Sequence, residues 1–308
     1  MEKIKLAYFG SPDFAADFLK KILLDKNLPV TVKLIVTQPD QLVGRKRILT
    51  PTPVKEVANN FQLPIFNFQS NLSFQNSKNE KSLKNENFKM KIKELDLVLL
   101  YAYGAMIPQE LLTLPKYGFW NIHPSLLPKY RGPSPIASPL INGDKITGVT
   151  IIKMDEKIDH GPIIAQESLT IDQDDKRSDL EKKLTDLAFQ MFKDIIKKVY
   201  GQDDILSLQK TTQDHVLATY TKKLTKQDGF IEISKLKDQI SKNSKGLFNL
   251  FRGLTPWPGI WTILPNGKRL KIINLTMKQS NNLTIKSVQL EGKNEVNFET
   301  FNSAYKIF

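Results

Sequence analysis

The chain has 308 residues, 40% hydrophobic and 25% charged, which is enough to bury the cores of two domains and ordinary for a globular protein. No apolar run approaches the roughly 20 residues needed to cross a bilayer, and the absence of Cys excludes disulfides and thiolate metal ligands. Lys and Arg number 45 against 32 Asp and Glu, a net charge of +13 that favours a polyanionic partner. The excess is uneven, since residues 201–308 hold 16 basic and 9 acidic side chains.

Residues 3–9 predict a first strand, which leaves no room for a signal or transit peptide; with no Cys to oxidise, a cytoplasmic chain is expected. Gly10-Ser11-Pro12-Asp13 then supplies a turn, with Ser11 as helix N-cap and Pro12 at the first helical position. A helix to about Leu24 and an apolar strand at Val30–Val36 complete a βαβ opening. Gly10 stands alone, so no dinucleotide fingerprint follows the strand. The loop from Thr37 to Ile48 is long and carries three adjacent cations, Arg45, Lys46 and Arg47, before a short helix at Pro53. Residues 67–94, with six Asn and six Lys, predict a surface connection closing in a helix before Leu95. Asp96–Tyr101 is the next buried strand, and Ala102-Tyr103-Gly104 its turn.

After the apolar pair Phe119-Trp120 comes Asn121-Ile122-His123-Pro124-Ser125-Leu126-Leu127-Pro128-Lys129-Tyr130-Arg131-Gly132-Pro133. Its prolines forbid regular structure, so a rigid loop should leave the end of a buried strand. If the strand persists to His123, Asn121 and His123 share a face by the period of two. An amide beside an imidazole suits acyl transfer, where both can stabilise an oxyanion and the imidazole can move a proton. The same pair also suits a satisfied core histidine with a strand-end cap.

A helix is expected near Ser134–Asn142. The strands Thr147–Met154 and Ile163–Ile171 should form a hairpin at the sheet edge, around a loop holding Asp159. Asp in a loop close to Gly, as Asp159 is to Gly161, is also a common turn residue. Ser178-Asp179-Leu180-Glu181 has the form of a capping box opening a helix with Leu180, Leu184, Leu187, Met191 and Ile195 on one face. Residues 202–211 are a polar linker. Beyond them short strands predict a small β-barrel, a class that binds nucleic acid through basic and aromatic surface. Trp257 is expected in its core, and His215 on the surface.

Asn121–Gly132, with the later Asp155-Glu156-Lys157-Ile158-Asp159-His160-Gly161-Pro162, resembles the signature pair of the folate-dependent formyltransferases, and within them the members that act on methionyl initiator tRNA. The resemblance runs from about residue 3 to residue 305. It implies an α/β architecture: a Rossmann-like formyltransferase domain with a mostly parallel sheet over 1–201, the linker 202–211, and an OB-like β-barrel over 212–308. It implies Asn121, His123 and Asp159 as the catalytic trio. It places Tyr103 and the segment Ser125, Leu126, Leu127, Pro128 against the folate. Arg45, Lys46 and Arg47 on an insertion, with Lys222, Lys223 and Arg252, would contact tRNA. The implied formyl donor is 10-formyltetrahydrofolate, with no metal, and a monomer is expected. The alternatives are a same-fold enzyme acting on an amino sugar nucleotide or glycinamide ribonucleotide, or a non-catalytic nucleic-acid-binding relative.

Overall fold

A computed structural model of the chain describes residues 2–44, 46–67, 80–202, 210–242, 244–277 and 282–307. They form two compact units: Met1–Arg131 with Gly148–Ser168 and Lys182–Tyr220, and Gly132–Thr147 with Leu169–Glu181 and Thr221–Phe308. The first unit includes residues 210–220, of which 210–211 are expected in the linker and 212–220 in the C-terminal barrel.

The first unit opens with β1 (Ile4–Gly10), α1 (Asp13–Leu24) and β2 (Val30–Thr37). A hairpin of β3 (Gln41–Val43) and β4 (Ile48–Thr50) follows, then α2 (Pro53–Asn60), β5 (Ile65–Asn67), α3 (Glu80–Lys93), β6 (Leu97–Tyr101) and β7 (Phe119–His123). Past α4 (Ala137–Asn142), which belongs to the second unit, come β8 (Ile146–Lys153), β9 (Ile163–Thr170) and α5 (Arg177–Gln202). The sheet has seven strands in the order β5-β2-β1-β6-β7-β8-β9. Its pairs from β5 to β7 are parallel, and β8 runs antiparallel to β7. The order changes direction between β1 and β6, so the carboxyl ends of these strands define the crevice where such sheets place ligands.

β1 and β6 are buried on both faces, which is why they read as continuous apolar runs rather than alternating ones. α1 lays Ala15, Ala16, Phe18, Leu19 and Ile22 inward. Its N-cap is Pro12, with no side-chain bond. The Ser11 hydroxyl is drawn elsewhere: it donates to the Tyr103 carbonyl at 3.2 Å and accepts from the Gln38 amide at 3.3 Å, tying the ends of β1, β2 and β6 together. α5 likewise starts earlier than its sequence predicts. Asp179 accepts from the Lys176 amide at 3.0 Å, so Ser178 lies inside the helix rather than capping it.

The second unit holds α6 (Ile233–Lys242), α7 (Ser244–Leu254), β10 (Ile260–Ile263), β11 (Arg269–Met277), β12 (Leu283–Leu290), β13 (Glu295–Asn297) and α8 (Phe298–Tyr305). The four strands pair antiparallel in sequence order. Leu247, Phe248 and Phe251 of α7 pack with Ile260, Leu270, Ile272 and Val288 in one core. Burial of each such side chain is worth about 1.5–3 kcal/mol. α7 also lies against α4, and Gly253 makes that possible: a Cβ there would stand 2.5 Å from Ile141 Cγ1. Trp257, expected in the core, is half exposed at 51%. It follows α7 in a turn that is not part of the sheet, and its carbonyl accepts from Arg177 at 3.0 Å.

Candidate active site

β7 carries the site at its carboxyl end. The strand does persist to His123, so Asn121 and His123 project from one face as the period of two requires. Both meet one carboxylate oxygen. Asn121 Nδ2 donates to Asp159 Oδ1 at 3.1 Å, and His123 Nδ1 lies 3.5 Å from the same atom. The imidazole is 95% buried and the carboxylate nearly so. On its other side His123 Nε2 meets the Tyr130 carbonyl at 2.9 Å. A carbonyl can only accept, so Nε2 carries a proton and Nδ1 is the nitrogen that faces Asp159 and Asn121.

Asp159 sits in a constrained loop between β8 and β9. Its φ is +48°, a left-handed conformation that Asp tolerates better than most residues. Lys157 N donates to Asp155 Oδ1 at 3.0 Å, turning the chain before it. Two residues on, a Cβ at Gly161 would stand 1.8 Å from the Lys153 carbonyl, so only glycine lets the loop fold back on β8. The proline-rich loop after His123 is pinned by side chains. Thr150 Oγ1 donates to the Ser125 carbonyl at 2.6 Å and accepts from Leu127 N at 3.1 Å, while Gln166 Nε2 donates to the Leu127 carbonyl at 2.9 Å. The Ser125 hydroxyl turns to the Lys129 carbonyl at 2.7 Å.

An amide donor, an imidazole with one nitrogen held and one directed, and a carboxylate converge at the carboxyl edge of an α/β sheet. That set can stabilise a developing oxyanion and shuttle a proton. Residues 2–196 match the family model described as "Formyl transferase", and residues 223–284 match "Formyl transferase, C-terminal domain". The chain belongs to the formyl transferase family.

This formyltransferase is 35% identical to the methionyl-tRNA formyltransferase of Caldicellulosiruptor saccharolyticus, over 98% of this chain and 97% of the relative. It is 39% identical to that of Kosmotoga olearia, over 85% of this chain and 76% of the relative. Among solved structures it is similar to a Helicobacter canadensis N-formyltransferase in complex with folinic acid and dTDP-3-aminofucose, with a TM-score of 0.60 and 20% identity over 89% of each chain. It is also similar to the phosphoribosylglycinamide formyltransferase of Bacillus halodurans, with a TM-score of 0.53 and 26% identity over 67% of this chain and all of the other.

The other expected site residues are placed unevenly in the formyltransferase. Tyr103 packs its ring edge on Phe9, 5.3 Å between centroids, inside the sheet's core, and burial pushes its hydroxyl well above the ordinary tyrosine value. What Tyr103 presents at the strand ends is its carbonyl, held by Ser11 and Gln38. Leu126 is partly buried and Leu127 buried. Pro128 offers its carbonyl to Thr219 N at 3.2 Å. Lys46 and Arg47 are exposed at the tip of the β3–β4 hairpin, where sequence predicted an irregular loop; Arg45 lies outside the described residues. Lys55 and Asp40 clamp the hairpin base at 2.7 Å. Lys222 and Lys223 are exposed, and Lys222 pairs with Asp228, whose carboxyl that lysine holds down to about 2.

Arg252 has to be corrected. Only 5% of it is exposed, and its guanidinium donates to the carbonyls of Asp172 and Asp175 and to Asn249 Oδ1. The amphipathic face of α7 turns it inward, so it is a structural cation and not a phosphate contact.

His215 is exposed, as expected, but its contacts and those of Arg131, His160 and Gln213 beside the trio escaped the sequence reading. Arg131 is 1% exposed, and its Nη2 donates to Gln213 Oε1 at 2.7 Å and to His215 Nδ1 at 2.8 Å. His215 stacks on His160, centroids 3.9 Å apart, and His160 Nδ1 meets Asp155 Oδ2 at 2.6 Å. Partial loss of hydration, with repulsion from His160 and Arg131 beside it, lowers the His215 pKa below the ordinary histidine value. The only local signal was the crowding of Arg131 into the first motif, since Gln213 and His215 lie more than 80 residues away along the chain.

Proposed function

We propose that this enzyme moves the formyl group of 10-formyltetrahydrofolate to the α-amino group of methionine esterified to initiator tRNA, the step that formylates the starting residue for translation. The observation that carries the reading is the convergence of Asn121 and His123 on one oxygen of Asp159, in a chain similar along nearly its whole length to methionyl-tRNA formyltransferases. The same donor set fits a formyl donor: an amide and an imidazole for a carbonyl oxygen, and a carboxylate for a proton in transit.

The folate supplies the formyl carbon, already activated on nitrogen. The chain's residues do the rest. A free α-amino group titrates near ~8 and an ester lowers it, so a useful fraction is neutral at pH 7 without a strong base. Asn121 donates to the carbonyl oxygen as negative charge develops there. His123, its Nε2 fixed on Tyr130, presents Nδ1 to the reaction and passes a proton toward the departing nitrogen. Asp159 favours the protonated imidazole and orders a shuttling water. The Ser125–Pro128 loop, pinned by Thr150 and Gln166, would support the folate with its Leu side chains. Lys46, Arg47, Lys222 and Lys223, with Arg45, would neutralise tRNA phosphates.

The test is formyl transfer from 10-formyltetrahydrofolate to charged initiator tRNA, run beside glycinamide ribonucleotide and an amino sugar nucleotide. Turnover on tRNA alone is expected. Preference for either small amine would overturn the substrate assignment.

A further inference from the structure

The trio explains why Asn121 and His123 point at Asp159 but not what keeps Asp159 there. Its backbone is left-handed, with φ +48°, and such a residue persists only where its surroundings over-determine it. One restraint comes from Gln213, which is 4% exposed. Gln213 Nε2 donates one proton to the Asp159 carbonyl at 2.9 Å and the other to the Gly161 carbonyl at 2.8 Å. Its Oε1 accepts from Arg131 Nη2 at 2.7 Å. The amide can sit only one way round, because a flip would face oxygen to two carbonyls and an NH₂ to a guanidinium.

Arg131 adjoins Tyr130, whose carbonyl holds His123 Nε2. One dipeptide therefore fixes both arms of the site, His123 directly through Tyr130 and Asp159 through Arg131 and Gln213. We propose that Gln213 is a positioning residue for formyl transfer, setting the carboxylate of Asp159 against Asn121 and His123 through the backbone of the Asp159–Gly161 turn. The proposal rests on the catalytic reading of Asp159.

The experiment compares Gln213→Met, which keeps the volume and removes both donors, with Gln213→Glu, which keeps an oxygen for Arg131 and loses the donors to the two carbonyls. Each should lower kcat roughly 10- to 100-fold, the scale of a small misplacement of a catalytic group, with KM for tRNA and folate within about twofold. In an Asp159→Ala background the same substitutions should lower kcat no further, because residues that act as a unit are not additive. A residue needed only for folding would instead give additive losses. Near-normal kcat in both single variants, additive losses in the double variants, or failure of both to fold would each overturn the proposal. If Asp159→Ala itself kept normal kcat, the catalytic assignment would fail, and the proposal with it; if Asp159→Ala lost kcat and Gln213 did not, only the positioning role would fall.

Discussion

His123 Nε2 is held by the Tyr130 carbonyl at 2.9 Å, while Asp159 Oδ1 stands 3.5 Å from Nδ1. The imidazole is thus fixed on one side and left to work on the other. His123→Ala is expected to lower kcat by roughly 10²–10⁴, the range of a positioned acid–base group, with tRNA affinity almost unchanged. Single-turnover formylation measured beside tRNA binding checks this, and a near-normal kcat would remove His123 from the mechanism.

Asn121 offers its amide at the same oxygen. Asn121→Ala should cost about 10²–10³ in kcat, as for an oxyanion donor. A raised folate KM with kcat intact would mean that Asn121 serves only ground-state binding.

At the hairpin tip, Arg47 is exposed and its backbone closes the turn onto the Gly44 carbonyl at 3.2 Å. Arg47→Ala should weaken tRNA binding and flatten its dependence on log salt by about one unit, the share of one neutralised phosphate. Activity on a minimal amine acceptor should stay as it was. Equal loss on both acceptors would assign the hairpin to the fold or the folate site.

Arg252 should behave in the opposite way. Arg252→Ala strips a donor from the carbonyls of Asp172 and Asp175 and another from Asn249, so a loss of about 1–3 kcal/mol is expected, visible in denaturant unfolding. The salt slope of tRNA binding should not move. An altered slope with unchanged stability would restore Arg252 to the tRNA surface.

His215 predicts a pH dependence. Its Nδ1 accepts from Arg131, which only the neutral ring can do, and its pKa is lowered from 6.5. The unfolded chain therefore binds a proton more readily than the native one, so this contribution is complete above pH 6.5 and lost as pH falls toward the native value. His215→Asn keeps an acceptor and removes the titration. Melting temperatures from pH 7.5 down to 5.5 should fall more steeply for the wild type than for His215→Asn, and parallel curves would disprove the linkage.

That Asn121 and His123 share a face could be read from the chain because a two-residue period is a local property of a strand, whereas Asp159 came only through the resemblance of its motif. Gln213, His160 and His215 could not, since their roles arise from contacts across 50 residues or more. Ser11 and Ser178 had the right residue type for caps, but competing acceptors and an earlier helix start decided otherwise. For Arg252 the sign of the charge suggested a surface partner, whereas the apolar stripe of α7, Leu247, Phe248, Phe251 and Leu254, determined which way it faced.

Arg252 reaches back 80 residues to Asp172, and Gly253 in α7 exists to admit Ile141 of α4. The second unit is therefore woven from three separate lengths of the gene. A recombination crossover near codon 220 would hand a recipient the tail without the α4 and Asp172–Asp175 segments it was matched to. A graft onto this chain of a C-terminal end from another source is expected to keep its packing only if those two short stretches come with it.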